Sequence, residues 1–275
     1  PINYPSQLVK RHSRQNTMER IQKFLAHQGV ASRRQVDQML QDGRITVNGK
    51  PAKPGDQVAG GEKIAVDGKL LRISRTEARP KVMMYHKPIG EVCSRKDPEG
   101  RPDVYRNLPN LQQGRWVGIG RLDINTSGLL LFTNQGELAN RLMHPSHEVE
   151  REYAVRIHGE VTLEMMQNLR KGVMLEDGEA KFENIADAGG EGTNHWYHVT
   201  LKEGKNREVR RLWEAVGVEV SRLQRVRYES FTLPKWLKPG KVRLFEDDAV
   251  RKLYERLDLN YPEIANRRHS ARGKR

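Results

Sequence analysis

The stretch "GRLDINTSGLLLF", residues 120–132, sets one carboxylate, Asp123, between an arginine–leucine pair and a polar turn, then runs into four consecutive apolar residues. A short apolar run bounded by turn signals reads as a buried strand. A charge at the mouth of such a strand is costly unless it is paired or used. Two readings are open from the motif itself. Asp123 is either a turn aspartate bonded to its own backbone, which is common, or a functional carboxylate in a cleft.

Working outward, "KVMMYHKPIGEVCS" reads as two short strands around a Pro-Gly turn, and "DPEGRP" as a loop. "WVGIG" and "GLLLF" are strands flanking the opening motif, and "GELANRLM" is a short helix stopped by Pro145. "REYAVRIHG" alternates, so Tyr153, Val155 and Ile157 share one face. Helices are expected over residues 163–169 and around Val209, Leu212, Trp213 and Val216, the second ending at Gly217. Strands return in "SRLQRVRYESFTL" and "KVRLFE", and a last helix runs from Asp247 or Asp248 towards Leu257. Strands dominate and connections are often short, which predicts an α+β domain on a mainly antiparallel sheet.

A second segment, "EGKNREVRRLWEAVG", bears on Asp123. Its apolar stripe begins at Val209, and Arg210 lies one step round the helix, beside the buried face. A partly buried arginine needs an acid, and Asp123 needs a cation. Pairing would hold the aspartate ionised, as a base or nucleophile must be. The alternative partner is a local acid such as Glu214. Arg210 cannot itself be a base, because its guanidinium keeps its proton. Tyr153 is either a core tyrosine or a ring that stacks on a base and offers a hydroxyl for proton exchange.

Metal signals are weak. His195 and His198 are three apart in an expected strand and so face opposite ways, and His144 and His147 straddle a proline. "GGEG", residues 189–192, has the form of an RNA-clamping loop but lacks a flanking helix and reads as a turn. No Walker or dinucleotide fingerprint is present.

The N-terminal third is small and basic. Thr17 can cap a helix carrying Ile21, Phe24 and Leu25, which Gly29 stops. Ser32 opens a second helix with Gln35 as its capping-box partner, Val36, Met39 and Leu40 as its stripe, and Gly43 at its end. "RITVNG" is a strand with an Asn-Gly hairpin signal, and "KIAVDG" is another strand. Residues 18–75 hold 11 Lys+Arg against 6 Asp+Glu. Arg33 and Arg34, in the first turn of the second helix, oppose its dipole. A phosphate ligand would offset that conflict; otherwise they form a solvated charged face.

The chain as a whole, 275 residues with a net charge of +14, is long enough for two domains and suited to a polyanionic partner. One cysteine, Cys93, excludes an internal disulfide framework and a thiolate zinc cluster. The apolar run 129–132 is far too short to span a bilayer, and the polar, basic opening has no signal-peptide core. A cytoplasmic protein without membrane contact is therefore expected.

"RIQKFLAHQGVASRRQVDQMLQDGRITVNGKPAKPGDQV" resembles an S4 domain, a small RNA-binding module. That likeness implies folded RNA held through shape and phosphates, with Arg20, Lys23, Arg33 and Arg34 as contacts. "GRLDINTSGLLLFTNQGELANRLMHP", "REYAV" and "GKNREVRRL" together resemble the RsuA-type rRNA pseudouridine synthases, and the resemblance extends from Met18 to about Leu257. It implies a synthase domain with a central cleft behind the S4 domain. It implies Asp123 as the catalytic aspartate, Tyr153 as the tyrosine packed on the target uracil, and Arg210 as the aspartate's basic partner. Arg121 would fill the space left by an extruded nucleotide, and Arg207 and Arg211 are further candidate RNA contacts. The reaction implied is isomerisation of uridine to pseudouridine with no metal or cofactor. Similarity to a large-subunit member implies 23S rRNA, or an assembly intermediate, as partner of a monomeric enzyme. The rivals are a sibling acting on another rRNA site, including 16S, a non-catalytic rRNA-binding assembly factor, and a base-excising glycosylase. The expected division is a basic extension 1–17, an S4 domain 18–75, a linker 76–80, a synthase domain 81–258 and a basic, disordered tail 259–275.

Overall fold

The computed structural model describes residues 18–74, 78–191 and 194–262. The expectations for the extension 1–17, with its cap at Thr17, and for the part of the tail 259–275 beyond residue 262 lie outside the described residues, whereas Leu259 and Tyr261, at the head of that tail, pack against the core of the second unit. The chain divides into two compact units, Pro1–Glu77 with Gln113–Arg115 and Ala78–Gln112 with Trp116–Arg275.

In the first unit, Ser32 closes the expected capping box. Its Oγ accepts from the Gln35 N–H at 3.3 Å, and its own N–H donates to Gln35 Oε1 at 3.0 Å. The helix it opens, Arg33–Gln41, packs Val36 and Leu40 against Ile21 and Leu25 of the helix Ile21–His27. That first helix starts later than its sequence suggests. Glu19–Arg20 pairs with Gln57–Val58, and the Ile21 N–H donates to the Asp56 carbonyl at 2.8 Å. The Asp56 carbonyl takes over one donor of the first turn, so the helix opens at Ile21 with no side-chain cap. Two hairpins complete the unit. Asn48 and Gly49, then Asp67 and Gly68, all take positive φ (51°, 81°, 50° and 75°), the signature of two-residue turns that match strand twist.

The second unit is built on a nine-stranded sheet. Its main order is Asn184–Glu191, Asn194–Leu201, Arg151–His158, Glu219–Tyr228, Ser127–Thr133, Val82–Lys87 and Val242–Leu244. Every pairing is antiparallel except Ser127–Thr133 with Glu219–Tyr228, the single parallel pair, near the sheet's centre. The domain is thus α+β on a mainly antiparallel sheet. The strands Val82–Lys87 and Ser127–Thr133 are covered on both faces, which explains their unbroken apolar runs. Leu129 and Leu131 face the helices Gly136–Met143 and Asp247–Arg256, while Leu130 and Phe132 face Tyr85 and Trp116.

Two local expectations fail. No strand forms at "EVCS"; only an isolated bridge, Val92 with Asp103, marks it. "GGEG" is not a plain turn, because Gly190 and Glu191 stay in register with His195 and Asn194 while Gly189 takes φ 81° at a register shift. A Cβ at Gly190 would fall 2.3 Å from the Asn194 carbonyl oxygen, so close strand approach accounts for that glycine.

Candidate active site

Asp123 sits on the loop that enters the central strand Ser127–Thr133. All four carbonyls of residues 123–126 are captured. Lys87 Nζ donates to the Asp123 carbonyl at 3.0 Å and to that of Thr126 at 2.9 Å. Gly90 N–H donates to Ile124 at 2.8 Å, and Arg210 Nη2 to Asn125 at 3.0 Å. The Thr126 N–H closes the turn onto the Asp123 carbonyl at 3.1 Å. On the other flank, Cys93 Sγ contacts both the N–H and the carbonyl of Leu122, at 3.4 and 3.3 Å. Burial pushes the Cys93 thiol up, so it serves as a neutral anchor rather than a thiolate.

The loop is fixed, and the Asp123 carboxylate is half-buried with no hydrogen bond or ion pair among the described residues. The expected direct pair with Arg210 is not formed. Arg210 is buried at 7% exposure, and its Nη1 donates to the Val220 carbonyl at 2.8 Å. Burial pulls the Arg210 pKa down, with Arg207 adding to the effect, while Asp123 and Glu214 act against it through space. Arg210 therefore feels the aspartate's field but grips its loop through the backbone.

Register brings the other pieces abreast. Lys87 faces Gly128, Gly128 faces Arg225, and Arg225 faces Tyr153 across four neighbouring strands. Gly128 has φ 110°, and a Cβ there would lie 2.3 Å from the Arg225 carbonyl oxygen, so only glycine admits this crossing. Tyr153 is half-buried and packs against two cores, one holding Val155 and Ile157 and the other holding Leu122. It lies at their junction rather than inside either.

Sequence reading overlooked Lys87 and Arg225. Lys87 has 0% exposure and also donates to Pro88 at 3.0 Å; burial lowers its pKa, against the raising influence of Cys93, Glu91 and Asp123. Arg225 has 2% exposure and donates Nε to the Leu129 carbonyl at 2.8 Å. A signal existed for both: each is a charge within or ending a buried strand, the same misfit that marked Asp123. Arg210 Nε, Arg225 Nη2 and Thr126 Oγ1 are buried without a partner among the described residues, and orphaned polar atoms of this kind call for an explanation, a catalytic role being one.

The expected RNA contacts are dispersed. Arg121 and Arg207 are exposed in the second unit, Arg207 at φ 48° ahead of the helix Glu208–Ala215. Arg211 is engaged by Asp177 through two bonds of 2.7 and 2.9 Å, which ties up its fork. In the first unit, Arg20, Arg33 and Arg34 are exposed, and Lys23 lies 3.5 Å from Glu19. Among the described residues no three His, Cys, Asp or Glu side chains form a metal-binding group, and no helix is long and apolar enough to cross a membrane.

Residues 81–215 match the RNA pseudouridylate synthase family, and residues 19–64 match the S4 domain. The chain is 54% identical to the ribosomal large subunit pseudouridine synthase B of Yersinia pestis, over 90% of this chain and 79% of that protein. It is also 54% identical to the protein of the same name from Escherichia coli strain K12, over 86% of this chain and 84% of the relative. A crystal structure of a pseudouridylate synthase superposes with a TM-score of 0.59 at 26% identity, covering 85% of this chain and 99% of that one. The chain belongs to the RNA pseudouridylate synthase family.

Proposed function

We propose that this chain isomerises uridine to pseudouridine in the 23S rRNA of the large ribosomal subunit. The observation that carries the reading is Asp123. Its carboxylate has no partner among the described residues, while every carbonyl of residues 123–126 is held by a hydrogen bond. A fixed backbone with a free carboxylate is preorganised for a substrate atom.

In the reaction the N1–C1′ glycosidic bond breaks, the uracil turns while bound, and C5 bonds to C1′. C5 gives up a proton and N1 gains one, so atoms balance without oxidant, metal or second substrate. Asp123 either removes the C2′ proton, giving a glycal-like intermediate, or attacks C1′ directly. Both routes require it ionised. Tyr153, at the junction of the two cores, would pack on the extruded base. Extrusion costs a few kcal/mol for a paired base and less in a loop, which phosphate contacts of Arg20, Lys23, Arg33, Arg34, Arg121 and Arg207 would offset. A monomeric cytoplasmic enzyme acting on rRNA or an assembly intermediate completes the proposal.

Incubation with deproteinised large- and small-subunit rRNA, followed by chemical mapping of pseudouridine at nucleotide resolution, tests it. New pseudouridine in 23S rRNA is expected. Modification of 16S rRNA alone would point to a sibling enzyme, and release of free uracil to a glycosylase. Tight binding without modification would leave an assembly factor.

A further inference from the structure

The segment "FTLPKWLKPGKVRLF", residues 231–245, carries four cations and no acid. Lys235, Lys238, Lys241 and Arg243 are all exposed, and none joins an ion pair among the described residues. Between them Trp236 stands 61% exposed, whereas Trp116 and Trp213 are at 6% and 0%. The Arg243 guanidinium lies 5.5 Å from the Trp236 ring centre. An indole left in water beside uncompensated cations is an unusual surface, because large aromatic rings ordinarily bury most of their area.

Its position is fixed from below. Leu237 is buried at 4% exposure, and its carbonyl meets His86 Nδ1 at 2.7 Å. The Gly240 N–H donates to the His86 carbonyl at 2.7 Å, and the His86 N–H to the Lys241 carbonyl at 3.0 Å. His86 precedes Lys87, whose ammonium holds the Asp123 and Thr126 carbonyls. The turn after Lys87 bonds to Ile124 through Gly90. The segment and the Asp123 loop are therefore anchored at the same end of the strand Val82–Lys87. Ile89 and Ile124, 61% and 37% exposed, add apolar surface at that end.

We propose that Trp236 is a stacking platform for an unpaired nucleotide that neighbours the target uridine, with Lys235, Lys238, Lys241 and Arg243 holding the adjoining phosphates. The proposal rests on the rRNA reading above and extends it to a second base. Aromatic faces accept any base and pair naturally with basic side chains along a single strand. Four cations without an acid suit a polyanion better than a protein surface of mixed charge.

The test uses full-length protein and an RNA stem-loop containing the mapped target, with 2-aminopurine at each unpaired flanking position in turn. Wild type should quench one of these probes on binding. Trp236→Ala should abolish that quenching and weaken equilibrium binding about tenfold, and Trp236→Phe should keep both within about threefold. The turnover number at saturating RNA should be unchanged in either variant. Lys235→Gln with Lys238→Gln should instead flatten the dependence of log K on log salt by one to two units, roughly one per lost phosphate contact, leaving the quenching in place. Equal quenching in wild type and Trp236→Ala, or no quenching at any position, would overturn the platform. Should no uridine map as a target, the 23S rRNA stem-loop that the protein protects takes its place; quenching there that Trp236→Ala abolishes would overturn the enzymatic reading alone and leave a base-stacking platform standing.

Discussion

Arg210 holds Asp123 through the carbonyl of Asn125, two residues along, and not through the carboxylate. Its two terminal nitrogens are committed to Asn125 and Val220, on the loop and on the neighbouring strand Glu219–Tyr228 of the same sheet. An ion pair would have held the carboxylate itself; the backbone clamp holds the loop and leaves the carboxylate available to a substrate. Arg210→Ala removes two charge-assisted bonds, one buried and one partly buried, worth about 1.5–3 kcal/mol each before relaxation. Melting temperature and turnover number should both fall. Asp123→Asn should abolish turnover while RNA affinity stays within a few-fold and melting changes little. In a double-mutant cycle on stability the two changes should couple by less than about 0.5 kcal/mol, the range of independent sites. A coupling well above about 1 kcal/mol would restore the direct pair.

Lys87 is the stronger clamp, with three carbonyl acceptors and no exposure. Lys87→Met keeps the length of the side chain and removes the charge. Deleting a buried charge recovers its desolvation penalty, so the stability loss is partly offset. The Asp123 and Thr126 carbonyls nevertheless lose their donor, and the loop loosens. The expected result is a turnover number reduced at least tenfold with RNA affinity retained and only a modest drop in melting temperature. Full activity in Lys87→Met would show that Arg210 and Gly90 suffice to fix the loop.

Much of this arrangement was legible from residue order. Asn48-Gly49 announced its hairpin because a two-residue turn demands positive φ, and Ser32 with Gln35 announced a helix start because the capping box is local. Asp123 stood out because charge and buried strand conflict within a few residues. The target of Arg210 did not stand out. Choosing between a carboxylate and a carbonyl two residues away depends on side-chain reach across packed strands. The helix start at Ile21 did not stand out either, because nothing local announces a carbonyl such as that of Asp56, brought from 35 residues further on to receive its N–H. The row Lys87, Gly128, Arg225 and Tyr153 depends on register among four strands distant in sequence.

Tyr153 separates stacking from proton transfer. Its ring lies at the junction of two cores, so removal leaves a gap against both. Tyr153→Phe keeps ring and packing, and Tyr153→Ala loses them. If the ring packs on uracil, Phe should retain binding and melting temperature, while Ala should lose both binding and turnover. A severe turnover loss in Phe, with binding intact, would assign the hydroxyl a proton-transfer role.

Arg33 and Arg34 test whether the first unit places the substrate. They occupy the opening turn of the helix Arg33–Gln41, which has no acidic residue in its first turn and whose capping box is uncharged. Two cations there oppose the helix dipole by a few tenths of a kcal/mol or more each, so their replacement should not destabilise the fold. If both neutralise phosphates, Arg33→Gln with Arg34→Gln should reduce the slope of log K against log salt by nearly two, since each contact contributes about 0.9 on a duplex and somewhat less on a single strand. Apparent KM on long folded rRNA should rise more than on a short stem-loop, because the lost contacts lie outside the target loop. The turnover number at saturation should hold, since neither arginine belongs to the unit that carries Asp123. Salt titrations of binding, paired with initial rates on both substrates, decide the matter. An unchanged slope with unchanged KM would reduce the pair to a solvated charged face and remove the first unit's helix start from the RNA-binding surface.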